Sequence, residues 1–263
     1  MKAIVIFDID GVIRDVAGSY RQAIVDTVEQ FTNKKFRPTM AEIDDLKSEG
    51  IWNNDWKASQ ELIYRYLESQ GQSRNEVNLD YAKIVDFFQG RYRGENQEDP
   101  RQWDGYITQE PLLVTGDYFQ ELTSNEIGWG FFSGATRGSA EYILKQRLGL
   151  DNPILIAMND APGKPDPTGL FMSVKLLEEE KPDAKTNQLI PIFYVGDTVA
   201  DIHTIVKAQK IAPQRIWKAI AVLPPHVQQD ETTQLNYRKK LIQAGALMVL
   251  KNVQELTSSL ILT

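Results

Sequence analysis

The sequence predicts an α/β protein, a doubly wound Rossmann-like parallel sheet interrupted by an inserted helical domain, and three observations carry that reading. The run Ala3 to Phe7 is short, apolar and rich in β-branched residues, the pattern of a strand buried on both faces of a parallel sheet. From Leu112 onward, apolar runs alternate with helical patterns, as in successive βαβ units. Between these two regions the apolar residues recur mostly at helical spacing. The expected division is a core of residues 1–14 and 106–263 with a helical insert over 15–105.

The first strand ends in Asp8-Ile9-Asp10-Gly11, two carboxylates one residue apart before a glycine. Asp8 therefore falls at a strand's carboxyl end, where open α/β sheets bind ligands. Two acids there repel unless a cation lies between them; taken alone, the same residues also fit an acidic turn. In the insert, Tyr20, Ala23, Ile24, Thr27, Val28 and Phe31 mark the buried face of a helix. Thr39-Met40-Ala41-Glu42 has the form of a capping box opening a second helix. Leu62, Ile63, Tyr66 and Leu67 share one side of a third, over Trp56 to Leu67, that Gly71 stops, and a fourth begins over Ala82 to Phe88. The polar, glycine-bearing segment Gly94 to Gly105 is the expected return linker.

In the second part of the core, Gly130-Phe131-Phe132 reads as a strand ending in Ser133-Gly134, with a helical pattern over Ser139 to Leu148. This sets Ser133 and the N–H groups of Gly134 and Ala135 near a helix N-terminus, which suits a phosphate. Lys164 follows in a loop stiffened by Pro165 and Pro167. The strand Ile192 to Val195 leads into Gly196-Asp197, with a second acid, Asp201, four residues on. Asp201 also completes the capping-box pattern Thr198-Val199-Ala200-Asp201, so a metal site and a helix cap are both open to it.

Composition narrows the function classes. The 263 residues are 42% hydrophobic, enough for a sizeable core, and the formal net charge is −7. Residues 15–105 hold 12 Lys/Arg against 17 Asp/Glu, so the insert has no electrostatic footprint for nucleic acid or an anionic membrane. No apolar stretch approaches membrane-span length and the chain enters its first strand at once, so a cytoplasmic protein is expected. The absence of cysteine excludes disulfides and thiolate chemistry. No feature of the sequence specifies an oligomeric state.

Taken in order, Asp8-x-Asp10-Gly-Val, Ser133-Gly, Lys164-Pro-Asp-Pro and Gly-Asp197-x-x-x-Asp201 resemble the four motifs of the haloacid dehalogenase superfamily. The insert resembles the helical cap of its type I members, and the opening Asp15 to Thr32 resembles a phosphatase subgroup of cyanobacteria and plants. The resemblance implies a Mg²⁺-dependent phosphatase acting on a small phosphorylated metabolite. Asp8 is then the nucleophile that forms an aspartyl phosphate. Asp10 is the general acid and base, Ser133 and Lys164 hold the transferring oxygens with Gly134 beside them, and Asp8, Asp10, Asp197 and Asp201 supply the metal site. Archaeal relatives of the subgroup fused to histidine-biosynthesis domains keep histidinol phosphate among the substrates implied.

Within the insert, Asn53-Asn54-Asp55-Trp56, in a segment that begins at Lys47 and includes Gly50 and Trp52, is the candidate for substrate selection. Amides bind hydroxyls in both senses and indoles pack on apolar ring faces. The structural alternative makes Trp52 and Trp56 core residues and Asn53 to Asp55 a helix-starting turn. Ser133 has the alternative of a helix cap and Lys164 that of a solvated loop lysine; Arg14 either faces the site and binds substrate charge or, as is commoner for an arginine there and is expected here, is solvated. Among rival functions, a dehalogenase lacks the second acid Asp10, and a phosphosugar mutase carries a cap histidine that residues 15–105 do not contain. Phosphonate hydrolysis through a Schiff-base lysine stays open because of Lys47 and Lys57, and a non-catalytic phosphate-binding protein is the remaining reading.

Overall fold

The computed structural model describes residues 1–49, 51, 52, 54–180 and 190–263. The chain forms two compact units, Met1–Asp15 with Pro111–Thr263, and Val16–Glu110. In chain order, β1 (Ala3–Phe7) precedes α1 (Tyr20–Phe31), α2 (Met40–Ser48), α3 (Asp55–Ser69) and α4 (Tyr81–Arg93) of the second unit. The first unit resumes with α5 (Gly116–Ser124), β2 (Ile127–Phe132), α6 (Arg137–Glu141), β3 (Leu155–Ile156) and α7 (Thr168–Glu180). It ends with β4 (Pro191–Gly196), α8 (Val199–Ile211), β5 (Ile216–Val222), α9 (Glu231–Ala244), β6 (Met248–Leu250) and α10 (Ser258–Leu262).

The strands form a parallel sheet in the order β3-β2-β1-β4-β5-β6. Every residue of β1 is buried, as its unbroken apolar run requires. Ile4 and Ile6 share one core with Ile192 and Tyr194 of β4, Leu170 and Val174 of α7, and Ile202 and Ile205 of α8. On the opposite face Phe7 packs edge-on to Phe119 of α5 at 5.7 Å between ring centroids. The period-2 alternation of β1 thus divides its side chains between two helical layers. Strand order reverses at β1, so β2 and β4 flank it and Phe7 lies in register with Phe131 and Val195. The residues just beyond these strand ends converge at the switch point of the sheet.

The helical pattern expected over Ser139 to Leu148 begins earlier and changes pitch. Helix α6 gives way to a π-helix over Tyr142–Arg147, where Leu148 N–H reaches Ile143 C=O at 3.0 Å. Gly149, with φ +69°, ends it by letting Leu150 N–H bond Leu144 C=O at 2.9 Å.

In the second unit, Thr39 and Glu42 form the capping box of α2, and Gly71 follows α3 with φ +83°. Helix α1 packs on α3 and α4, and Tyr20 stacks on Tyr92 at 4.3 Å. Ser19 and Tyr92 hydroxyls both donate to Oε1 of buried Glu110, which ties the start of this unit to its end. Gly94 to Gly105 therefore lies inside the unit. Asp104 and Gly105 N–H groups both bond Arg93 C=O at 3.1 Å, and Trp103 packs under the Arg93 guanidinium. No helix among the described residues is long and apolar enough to cross a membrane.

Candidate active site

Asp8 N–H bonds Val195 C=O at 2.8 Å, extending the sheet ladder one residue past β1 and fixing a carboxylate that is only 6% exposed. The chain then turns tightly: Ile13 N–H bonds Ile9 C=O at 2.8 Å and Gly11 N–H bonds Arg14 C=O at 2.9 Å. Gly11 holds φ +76°, and a Cβ there would lie 2.1 Å from Asp197 Oδ2, so the β1 and β4 loops meet only because this residue has no side chain. At the last residue of β4, Gly196 allows an equally close approach by Asp201, whose Cβ would lie 2.2 Å from an added one.

Carboxylate oxygens of Asp8, Asp197 and Asp201 lie within 4.8 Å of one another, all three residues buried. Lys164 Nζ sits 2.8 Å from Asp8 Oδ1 and 2.7 Å from Asp201 Oδ1. Its side chain, 11% exposed, passes over the rings of Phe132 and Tyr194 at 5.5 and 5.7 Å. The solvated-lysine alternative is thereby excluded. Asp201 takes the helix-cap role that its sequence position offered and, with its other oxygen, meets Lys164. Its Oδ2 accepts from the Thr198 N–H at 3.0 Å and from the Thr198 hydroxyl, closing the capping box of α8. Its Oδ1 accepts from Lys164 and, at 3.1 Å, from the Tyr194 hydroxyl. A carboxylate offers about four acceptor positions, and the donors from Thr198, Lys164 and Tyr194 occupy that number on Asp201.

One ammonium among three buried carboxylates leaves excess negative charge. Burial lifts the Asp8 carboxyl to about 7, opposed by Lys164 and helped by Asp201 and Asp10. Burial, then the charges of Asp201 and Asp8, raise Asp197 well above the usual carboxylate range. Burial works against the Lys164 ammonium, but Asp201 and Asp8 outweigh it and hold the group charged. Burial likewise opposes Asp201, which Lys164 and Thr198 nonetheless keep below its ordinary value. Asp8 Oδ1 makes no directed hydrogen bond, only the ion pair with Lys164. Hard, under-neutralised oxygens of this kind fit a divalent cation of the Mg²⁺ type.

Ser133 follows β2 and is buried, with its N–H on Ile156 C=O at 3.0 Å. Its Oγ accepts from Ala135 N–H at 3.1 Å, so that amide is already engaged, and Thr136 rather than Ser133 precedes α6 as its cap residue. Gly134 beside it is exposed and open around its Cα. Asp10 lies outside the carboxylate cluster; its side chain turns to Arg14, with Nε and Nη2 at 2.7 and 2.6 Å from Oδ1. The expectation for Arg14 was wrong, since it is fully buried. Tyr194 was also missed. The signal was a polar group inside an apolar run for Tyr194, at Phe193-Tyr194-Val195, and one directly at the end of an apolar pair for Arg14, at Val12-Ile13-Arg14.

In the second unit, Asn54 caps α3 by accepting from Lys57 N–H at 3.0 Å, and Asp55 pairs with Lys47. Trp52 Nε1 donates to Glu49 at 2.8 Å, and Trp56 is half-buried on α3. The helix-starting turn is therefore present at Asn54. Asn53 and Gly50 lie outside the described residues.

Residues 2–209 match the model of a hydrolase family described as haloacid dehalogenase-like hydrolase. A Phytophthora nicotianae protein named imidazoleglycerol-phosphate dehydratase is 29% identical over 253 residues, covering 93% of this chain and 49% of that protein. The chain thus spans about half the length of this curated relative. The fold is similar to CbbY from Rhodobacter sphaeroides in complex with phosphate, with a TM-score of 0.62, 15% identity, and 97% and 96% of the two chains covered. It is also similar to phosphatase Tt82 from Thermococcus thioreducens, with a TM-score of 0.61, 18% identity, and coverage of 89% and 98%.

Proposed function

The chain belongs to the haloacid dehalogenase-like hydrolase family, and from that premise we propose that it hydrolyses a small phosphate monoester, with Mg²⁺, through an aspartyl phosphate on Asp8. The observation that carries this reading is the buried cluster in which Asp8, at the end of the central strand, faces Asp197 and Lys164. Asp8, Asp197 and the Asp10 carbonyl would hold the ion, and Asp201 would act through Lys164. When bound, the cation offsets the repulsion among these carboxylates and polarises the phosphoryl group.

A carboxylate oxygen of Asp8 forms the new P–O bond as the bond to the leaving oxygen breaks. The proton that the leaving oxygen needs comes from the Asp10 side chain. Asp10 then accepts a proton from the water that attacks phosphorus, and the Asp8–phosphorus bond breaks, releasing phosphate. Lys164 and Ser133 donate to the equatorial oxygens, where charge builds up and where donors are worth most. Selection among leaving groups is assigned to Asn54, Asp55 and Trp56 on the hydrogen-bonding and ring-packing chemistry of those side chains. The closed site of such an enzyme favours a small metabolite.

The test is phosphate release from a panel of monoesters with Mg²⁺, with and without a chelator. Turnover that survives chelation would remove the cation from the reading. The likeness to a protein named for imidazoleglycerol phosphate favours one panel member in particular, an imidazole-bearing phosphate monoester. A kcat/KM for that ester at least about tenfold above glycolate-type and sugar phosphates supports it; parity rejects it.

A further inference from the structure

Among the described residues Arg14 is the largest side chain fully removed from solvent, while the carboxylate it meets, Asp10, is 29% exposed. An arginine is almost never buried to this degree without a partner. Nε and Nη2 converge on one atom of that carboxylate, Oδ1, at 2.7 and 2.6 Å. The backbone holds the arginine equally firmly. Its C=O accepts from Gly11 N–H at 2.9 Å and its N–H bonds Ile9 C=O at 3.2 Å. The neighbouring Ile13 C=O accepts from Leu113 N–H at 2.8 Å, and Asp15 N–H bonds Pro111 C=O at 2.9 Å. Arg14 is therefore built into the same turn that carries Asp8 and Asp10, pinned on both sides.

We propose that Arg14 is a positioning residue for proton transfer, clamping Oδ1 of Asp10 so that Oδ2 alone exchanges protons with the reacting oxygens; this rests on the phosphatase reading above. A free carboxylate on a turn would rotate and present either oxygen. A guanidinium fork on one oxygen fixes the plane of the group and the identity of the other. Oδ2 gives its proton to the leaving oxygen as that P–O bond breaks. It takes one back from water as the water oxygen bonds phosphorus and the Asp8 ester breaks.

Leaving-group dependence tests this, because an alkoxide needs the proton and a dinitrophenolate does not. The full chain with Mg²⁺ is assayed on an alkyl phosphate and on dinitrophenyl phosphate. Arg14→Ala is expected to lower kcat/KM roughly 10- to 100-fold on the alkyl ester, in the range typical of lost supporting contacts, and less than about threefold on the aryl ester. With the aryl ester it should also show a burst of dinitrophenol, since water attack on the Asp8 ester still needs Oδ2. Arg14→Lys should recover part of the alkyl-ester loss. In an Asp10→Asn background, Arg14→Ala should cost less than about threefold more. Equal losses on both esters without a burst, in a variant whose thermal transition is intact, overturn the proposal and leave Arg14 a structural residue. If Arg14→Ala does not fold, Arg14→Lys is compared on the same two esters: a loss confined to the alkyl ester supports the clamp, and equal losses overturn it. Wild-type chain that releases phosphate from neither ester overturns the phosphatase reading itself, and the proposal with it.

Discussion

Asp8, the proposed nucleophile, carries a charge that its surroundings oppose, and the demands of the proposed chemistry and of stability separate under mutation. Its carboxyl is lifted to about 7 mainly by burial, with Asp201 and Asp10 adding repulsion that Lys164 only partly cancels. Asn in its place keeps the shape, loses the proposed nucleophile and removes a charge that the folded state disfavours. At pH 8, Asp8→Asn is therefore expected to abolish turnover while raising the thermal midpoint of the metal-free protein. A midpoint that falls by several degrees would mean that the Lys164 ion pair, not the repulsion, dominates at this residue. Lys164 is the converse case, stabilised by the same neighbours. Lys164→Ala should lower kcat by roughly 10² or more and also destabilise the fold, because it strips the only cation from Asp8 and Asp201 among the described residues.

At the scale of the element, α8 is where the helix cap and the hold on Lys164 share a side chain. Thr198 and Asp201 close the box at its N-terminus, and the other oxygen of Asp201 holds Lys164. Thr198→Ala is expected to cost about 0.5–2 kcal/mol of stability, the usual range for a lost N-cap, with kcat reduced only modestly. Asp201→Asn should cost both, since the amide cannot accept at both ends as the carboxylate does. Chemical denaturation and steady-state kinetics on the two variants check this, and equal kcat losses would contradict it. Elements of this kind were readable in the chain because their signals are local. The strand ends at Asp8, Ser133 and Asp197 follow from apolar runs that stop, and the box at Thr39 and Glu42 from a four-residue pattern. The return to the first unit at Pro111 had no such signal, because Gly94 to Gly105 folds back on Arg93 through backbone bonds and one indole. Burial of Arg14 and the convergence of Lys164 with Asp201, 37 positions apart, depend on tertiary approach that no local pattern encodes.

For the molecule as a whole, the carboxylate cluster links stability, pH and metal. The Asp8 carboxyl moves from an ordinary 3.8 to about 7 in the folded chain, so between these values the metal-free folded state holds a proton that the unfolded state has lost. Stability then falls as pH rises through that window. Asp197, also raised, adds a contribution of the same sign. Asp201 is lowered, so its contribution is present above 3.8 and is lost as pH falls through its depressed value, below the window in question. A cation that binds only the folded site adds stability by mass action and competes with those protons. Mg²⁺ should therefore raise the thermal midpoint little at pH 5 and substantially at pH 8, while the chelated protein declines across the same range. Calorimetric scans at pH 5, 6, 7 and 8, with Mg²⁺ or with a chelator, measure both curves. An increment from Mg²⁺ that is the same at every pH would mean that the ion binds away from Asp8 and Asp197. Its persistence in Asp8→Asn at pH 8 would lead to the same conclusion independently, because that variant removes one of the two carboxylates assigned to the ion without changing the remaining surface of the protein.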